Sequence, residues 1–145
     1  MGGVEVLPRE YGYVALILGL AGVLNFWMSF QVNFARKKYD VQLPTMYALE
    51  SENKNAKLFN CVQRGHQNSL EYLPMFFIFM TVGGIKHPII AALLGCVYVV
   101  ARYFYFIGYS TGDPKNRLTY GFYNFLALMG LILCTISSGV EFLLA

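Results

Sequence analysis

The chain has 145 residues, of which 57% are hydrophobic and only 13% charged, and its mean hydropathy is +0.48. Soluble globular domains carry roughly 25% charged residues, so this composition excludes one. The charges are also clustered: they fall in residues 1–10, 36–57, 86 and 113–117, leaving Arg64, Glu71, Arg102 and Glu141 alone elsewhere. Apolar spans joined by charged loops are the expected result.

A helix needs about 20 residues to cross the hydrocarbon core. The first candidate span, residues 11–33, contains no charge. It is longer than the apolar run of about 7 to 15 residues in a signal peptide, and no small-residue cleavage site precedes the basic stretch, so it is expected to stay as a span. It carries Asn25, Ser29 and Asn33, followed by Arg36, at near-helical spacing. That stripe suits polar contacts between helices, with Arg36 at its end available to a ligand. The cluster Arg36-Lys37-Lys38 fits a membrane-interface anchor better than a nucleic-acid patch.

The second span is less simple. Its purely apolar part, residues 72–85, is too short, so the helix must begin near Leu58 and carry polar residues into the membrane. The third runs over residues 88–109 with Pro88 at its first position, where the missing N–H costs nothing. The fourth runs over residues 118–144. Lipid cannot satisfy a free backbone amide, so all four must be helices. The expected architecture is an all-α, integral membrane four-helix bundle forming a single domain over residues 1–145. Arg36, Lys37, Lys38, Lys54, Lys57, Lys115 and Arg117 lie on one side against Arg9 and Lys86 on the other. The positive-inside tendency turns the first and third loops to the cytosol. Cys61, Cys96 and Cys134 are odd in number and all inside spans, which predicts buried apolar side chains in place of disulfides. No spacing of Cys and His suggests a metal.

An ionisable side chain at membrane depth costs about 2.5–3.5 kcal/mol, so by default it is functional. In the second span Arg64, Asn68 and Glu71 stand at i, i+4 and i+7 and share a helical face, with His66 and Gln67 beside them. A structural ion pair between Arg64 and Glu71 would need only two of these groups. The third span repeats the pattern with Tyr98, Arg102, Tyr105 and Tyr109. Tyr109 alone could be an interfacial aromatic, whereas a phenol beside Arg102 needs a polar partner. Arg36, Arg64, Arg102, Tyr109 and Arg117 all lie toward the same half of the bundle and can converge. Four cations, one carboxylate and several hydroxyls suit a small anionic ligand with one positive group. Glutathione, with two carboxylates, one ammonium and a thiol, matches that description, as do other amphoteric anions.

At these motifs the chain resembles the MAPEG family, membrane-associated proteins of eicosanoid and glutathione metabolism. The likeness rests on Glu10-Tyr11-Gly12, on Ala35-Arg36-Lys37-Lys38-Tyr39 with Pro44 and Met46-Tyr47, and on Phe59-Asn60-Cys61 through Glu71. It continues in Val82-Gly83-Gly84 with His87-Pro88 and in Gly108 through Arg117. The Gly112-Asp113-Pro114 turn favours the branch of the third microsomal glutathione S-transferase.

The resemblance implies a homotrimer that binds glutathione between subunits as co-substrate, with no metal. Arg64, His66, Asn68, Glu71 and Tyr72 would hold the tripeptide from the second span, and Arg102, Tyr105 and Tyr109 from the third. Arg36 would reach in from the adjacent subunit, and Arg117 would face the sulfur as thiolate stabiliser, the catalytic role. The implied activity is glutathione transfer, with peroxidase activity, on a lipophilic electrophile or lipid hydroperoxide drawn from membrane lipid. The implied setting is a multi-pass protein of the endoplasmic reticulum. A non-catalytic lipid-binding or scaffold member of the family is the alternative, and Arg117 argues against it. A small channel or proton-relay subunit would have no use for the tyrosines.

Overall fold

The computed structural model describes residues 6–145; the first five residues of the expected single domain lie outside the described residues. Four helices follow one another: α1 (Tyr11–Tyr39), α2 (Ala56–Lys86), α3 (Pro88–Ser110) and α4 (Tyr123–Leu144), with a 3-10 turn, Pro114–Leu118, between the last two. Among the described residues, three segments are long and apolar enough to cross a membrane: Tyr11–Tyr39, Pro88–Ser110 and Pro114–Leu144. The α2 helix matches them in length, with 31 residues. Its N-terminal half carries Arg64, Glu71 and a run of amides, and this keeps it less apolar. The chain is an all-helical membrane bundle.

The helix ends follow local chemistry. The α1 helix continues past residue 33 through Arg36, Lys37 and Lys38, and stops at Asp40, which takes the left-handed conformation at φ 52°. Asp is one of the few residues that tolerate it, and it lets the Val41 N–H return to the Arg36 carbonyl at 3.0 Å. Between α2 and α3 only His87 leaves the helical region, as expected before a proline, and Pro88 opens α3. The loop after α1 is clamped by Asn60, whose side chain accepts from Ala48 N–H at 2.8 Å and donates to the Ala48 carbonyl at 2.9 Å.

The fourth helix starts later than the expected residue 118. Asp113 accepts from the Lys115 N–H, Pro114 follows at the first turn, and the chain forms a 3-10 turn before α4 begins at Tyr123. Two glycines make room for this knuckle against α3. A Cβ on Gly108 would come within 2.9 Å of Arg117 Cα and overlap the Asn116 backbone; one on Gly121 would come within 2.7 Å of Tyr105 Cβ.

In packing, α2 and α3 touch each other and both outer helices, α1 and α4. Two apolar clusters fill the bundle. One joins Val14, Ala21, Phe76, Met80, Tyr98, Val99, Leu128 and Leu131; the other joins Met28, Val32, Ala35, Phe59, Val62 and Phe106. Asn25, Arg64 through Glu71, and Arg102 fall between these clusters in chain position on every helix concerned. The outward faces are apolar, with Leu16, Phe26, Leu93 and Leu133 all exposed. Cys61 and Cys134 are buried as expected, whereas Cys96 is exposed on the outer face of α3: in this position the apolar surroundings are external to the subunit.

The packing of the knuckle makes a direct prediction. Gly108→Val should destabilise the protein by about 1–3 kcal/mol through overpacking and lower its thermal midpoint in detergent. Gly139→Ala, with open space around it, should leave the midpoint unchanged or raise it.

Candidate active site

Among the described residues Arg102 is the largest fully buried side chain, 2% exposed. Its guanidinium carbon lies 4.7 Å from the centre of the Tyr72 ring, 4.8 Å from Tyr105, 5.6 Å from Tyr98 and 5.7 Å from Phe125. These rings present their negative faces to the cation while excluding water, the setting in which cation–π attraction is strongest. One guanidinium nitrogen donates to Asn68 Oδ1 at 2.7 Å. Helical spacing explains the convergence, because Tyr98, Arg102 and Tyr105 follow one face of α3, while Asn68 and Tyr72 follow the facing side of α2.

Asn68 connects this buried cation to a more open pair. Its amide donates to Glu71 at 3.4 Å, and Arg64 donates to both Glu71 oxygens at 2.8 and 3.2 Å. The side chains of Arg64 and Glu71 are 37% and 56% exposed, so the pair forms the accessible rim of a site whose floor is Arg102. An ion pair this exposed adds little to folding, and both partners remain available to an incoming charged ligand.

The knuckle supplies the other wall. Arg117 is half-buried, donates to the Pro114 carbonyl and lies over the Tyr109 ring at 5.5 Å. Tyr109 meets Tyr105 edge to face at 5.9 Å. Tyr105, whose ring lies against Arg102, thereby joins the aromatic cage to the Tyr109–Arg117 stack. Arg64, Asn68, Glu71, Tyr72, Arg102, Tyr105, Tyr109 and Arg117 thus form one continuous site.

Two of the expected residues are not brought to this site within the subunit. Arg36 donates to the Thr45 carbonyl of its own first loop at 2.8 Å and lies over Phe59. His66 is buried on the face of α2 that carries Phe59, Val62 and Ser69, on the other side of the helix from Arg64. Conversely, Phe125 closes the aromatic cage from α4, a role with no signature in an otherwise apolar helix.

Residues 14–137 match the model of the MAPEG family. The chain belongs to that family. It is 31% identical to microsomal glutathione S-transferase 2 of Homo sapiens over 82% of this chain and 80% of the relative. It is 33% identical to leukotriene C4 synthase of Bos taurus over 76% and 69% of the respective chains, and 33% identical to an uncharacterised protein of Synechocystis sp. over 75% of each.

The contrast between floor and rim is testable in the unliganded protein. Asn68→Ala removes the hydrogen bond that holds a buried cation and should cost about 1–3 kcal/mol of stability. Glu71→Gln, at the exposed rim, should barely move the thermal midpoint measured by circular dichroism in detergent.

Proposed function

We propose that this protein is a membrane-embedded glutathione transferase, with peroxidase activity toward lipid hydroperoxides. The observation that carries the reading is the charge balance of the site. Three guanidinium groups, Arg64, Arg102 and Arg117, face one carboxylate, Glu71, leaving two positive charges unneutralised. Glutathione in its thiolate form has two carboxylates, one ammonium and one sulfur anion, a net charge of two negatives. Glu71 takes the ammonium, Arg64 and Arg102 take the carboxylates, and Asn68, Tyr72, Tyr105 and Tyr109 supply neutral contacts. The family membership and the names of the relatives support the same ligand.

Arg117 then acts on the sulfur. A thiol with pKa about 8.5 is only a few per cent ionised at neutral pH. Lowering that value by about two units requires roughly 2.7 kcal/mol of preferential stabilisation of the anion. A guanidinium can provide it without losing its own proton. The thiolate attacks an electrophilic carbon, forming the C–S bond and expelling the leaving group or generating a carbanion that takes up a proton. With a hydroperoxide it attacks the terminal oxygen, and the O–O bond breaks to release an alcohol; a second glutathione then reduces the sulfenic acid. A lipophilic substrate reaches the sulfur from the bilayer.

The same reading includes a homotrimer, in which Arg36 of one subunit completes the site of the next. Asn33 is exposed on α1, and a polar side chain there suits contact with a neighbouring helix. It also includes an endoplasmic reticulum location with the site toward the cytosol, and the third-transferase branch suggested by the Gly112-Asp113-Pro114 turn.

Incubating the detergent-purified protein with glutathione and either a model electrophile or a lipid hydroperoxide tests the activity; failure to retain glutathione at all would overturn it. Arg117→Ala should leave glutathione affinity near normal where the thiol is protonated, and shift the pH–rate profile upward toward pKa about 8.5. At neutral pH the rate and thiolate absorbance should fall about tenfold or more. Full thiolate signal in that variant would move activation to Tyr109 or Arg102. Native mass spectrometry should show three copies per particle; a monomer that binds glutathione would rule out a site shared between subunits.

A further inference from the structure

Behind the floor of the site, away from the rim, three helices leave a small cavity. It is lined by Leu24, Asn25, Met28, Ser69, Tyr98 and Arg102, among others, and the space open to a water molecule's centre is about 20 Å³. That is room for a single water at most. Four polar atoms of its lining residues are buried without a hydrogen-bond partner: Asn25 Oδ1, Tyr98 Oη, and Nε and Nη2 of Arg102. Ser69, also in the lining, spends its one donor on the Gly65 carbonyl at 3.0 Å.

Orphaned polar atoms this deep are costly, and the great majority in folded proteins are paired. Here the four are chemically complementary. The two guanidinium nitrogens can only donate, the amide oxygen can only accept, and a phenol does both. The Tyr98 ring lies against the guanidinium at 5.6 Å, and both line the same cavity with unpaired polar atoms. Asn25 lines the same small cavity from α1, with its unpaired amide oxygen as the acceptor the other two groups lack.

We propose that Asn25 and Tyr98 are positioning residues that hold Arg102 from behind: the guanidinium donates to the Tyr98 hydroxyl, which in turn donates to Asn25 Oδ1. Asn68 fixes the guanidinium from the rim side and this chain fixes it from the α1 side, leaving one orientation toward the ligand. Aromatic faces alone would let the planar fork rotate, since attraction to a ring depends weakly on which nitrogen is nearest. The role deepens the glutathione reading given above and rests on it.

Tyr98→Phe removes one oxygen atom and keeps the ring stacked on Phe76 at 4.0 Å, so the variant should fold. Asn25→Leu removes the amide at similar volume. In each variant the dissociation constant for glutathione should rise roughly tenfold, the size expected when one hydrogen bond to a charged group is lost. The maximal rate at saturating glutathione and the pH–rate profile, which report on Arg117, should stay as in wild type. The double variant should bind no more weakly than the worse single variant, because both changes release the same guanidinium. If both variants lowered only the thermal midpoint and bound glutathione like wild type, the pair would be structural and the proposal overturned; losses that multiply in the double variant would overturn it as well. If the wild-type protein itself failed to bind glutathione, the functional reading would fall first, and the two failures are therefore distinguishable.

Discussion

Everything in this bundle is arranged around the burial of one positive charge. Removing a guanidinium from water costs several kcal/mol even after relaxation, and at membrane depth no counter-ion diffuses in to relieve it. Among the described residues, no carboxylate pairs directly with Arg102. Instead it is enclosed by four aromatic rings and one amide, which lower the cost without cancelling the charge. A fully neutralised arginine would be a structural strut, whereas this one retains attraction for an anion. The apolar clusters on either side of the polar layer hold the helices close enough for the cage to persist.

That requirement explains the unusual character of α2. A helix carrying Arg64, Asn68 and Glu71 would be a poor span by itself, yet it packs against all three other helices and shares the centre with α3. The polar stripe therefore faces protein and the site opening, and the lipid-facing surface is left to Leu16, Phe26, Leu93 and Leu133 on its neighbours. The second apolar half of α2, from Tyr72 onward, anchors the helix in the core through Phe76 and Met80, both fully buried. The apolar packing and most of the polar stripe thus occupy different halves of the same element.

Much of this was legible before any coordinates. The four helices follow from hydropathy and the absence of any alternative backbone in lipid, and the α2 and α3 stripes follow from spacing, because i, i+4 and i+7 must share a face. What periodicity could not reveal is which face meets which neighbour. His66, two residues from Arg64, points into the α1 side, as the 100° step of a helix requires once Arg64 faces the site. Phe125 carries no polar atom to mark it as part of a cage. The late start of α4 depends on Gly108 and Gly121 admitting a backbone at close range, a property of pairs of segments and not of either alone. Cys96 and Arg36 illustrate the same limit: one is exposed on the outer face of α3, and the other is held by the Thr45 carbonyl of its own first loop.

Arg117 does not sit on any of the four helices. It is carried by a 3-10 turn of five residues, pressed onto α3 by two glycines and tied by its own hydrogen bond to the Pro114 carbonyl. The groups proposed to grip the tripeptide belong to rigid helices, while the group proposed to act on sulfur belongs to a short connector. Insertions, deletions or substitutions between Ser110 and Tyr123 can therefore alter or abolish one function while sparing the other. Such an arrangement lets descendants of a common ancestor diverge in reactivity while inheriting the same receptor, and it makes the connector the natural place to look when sister proteins share a binding pocket but not a chemistry.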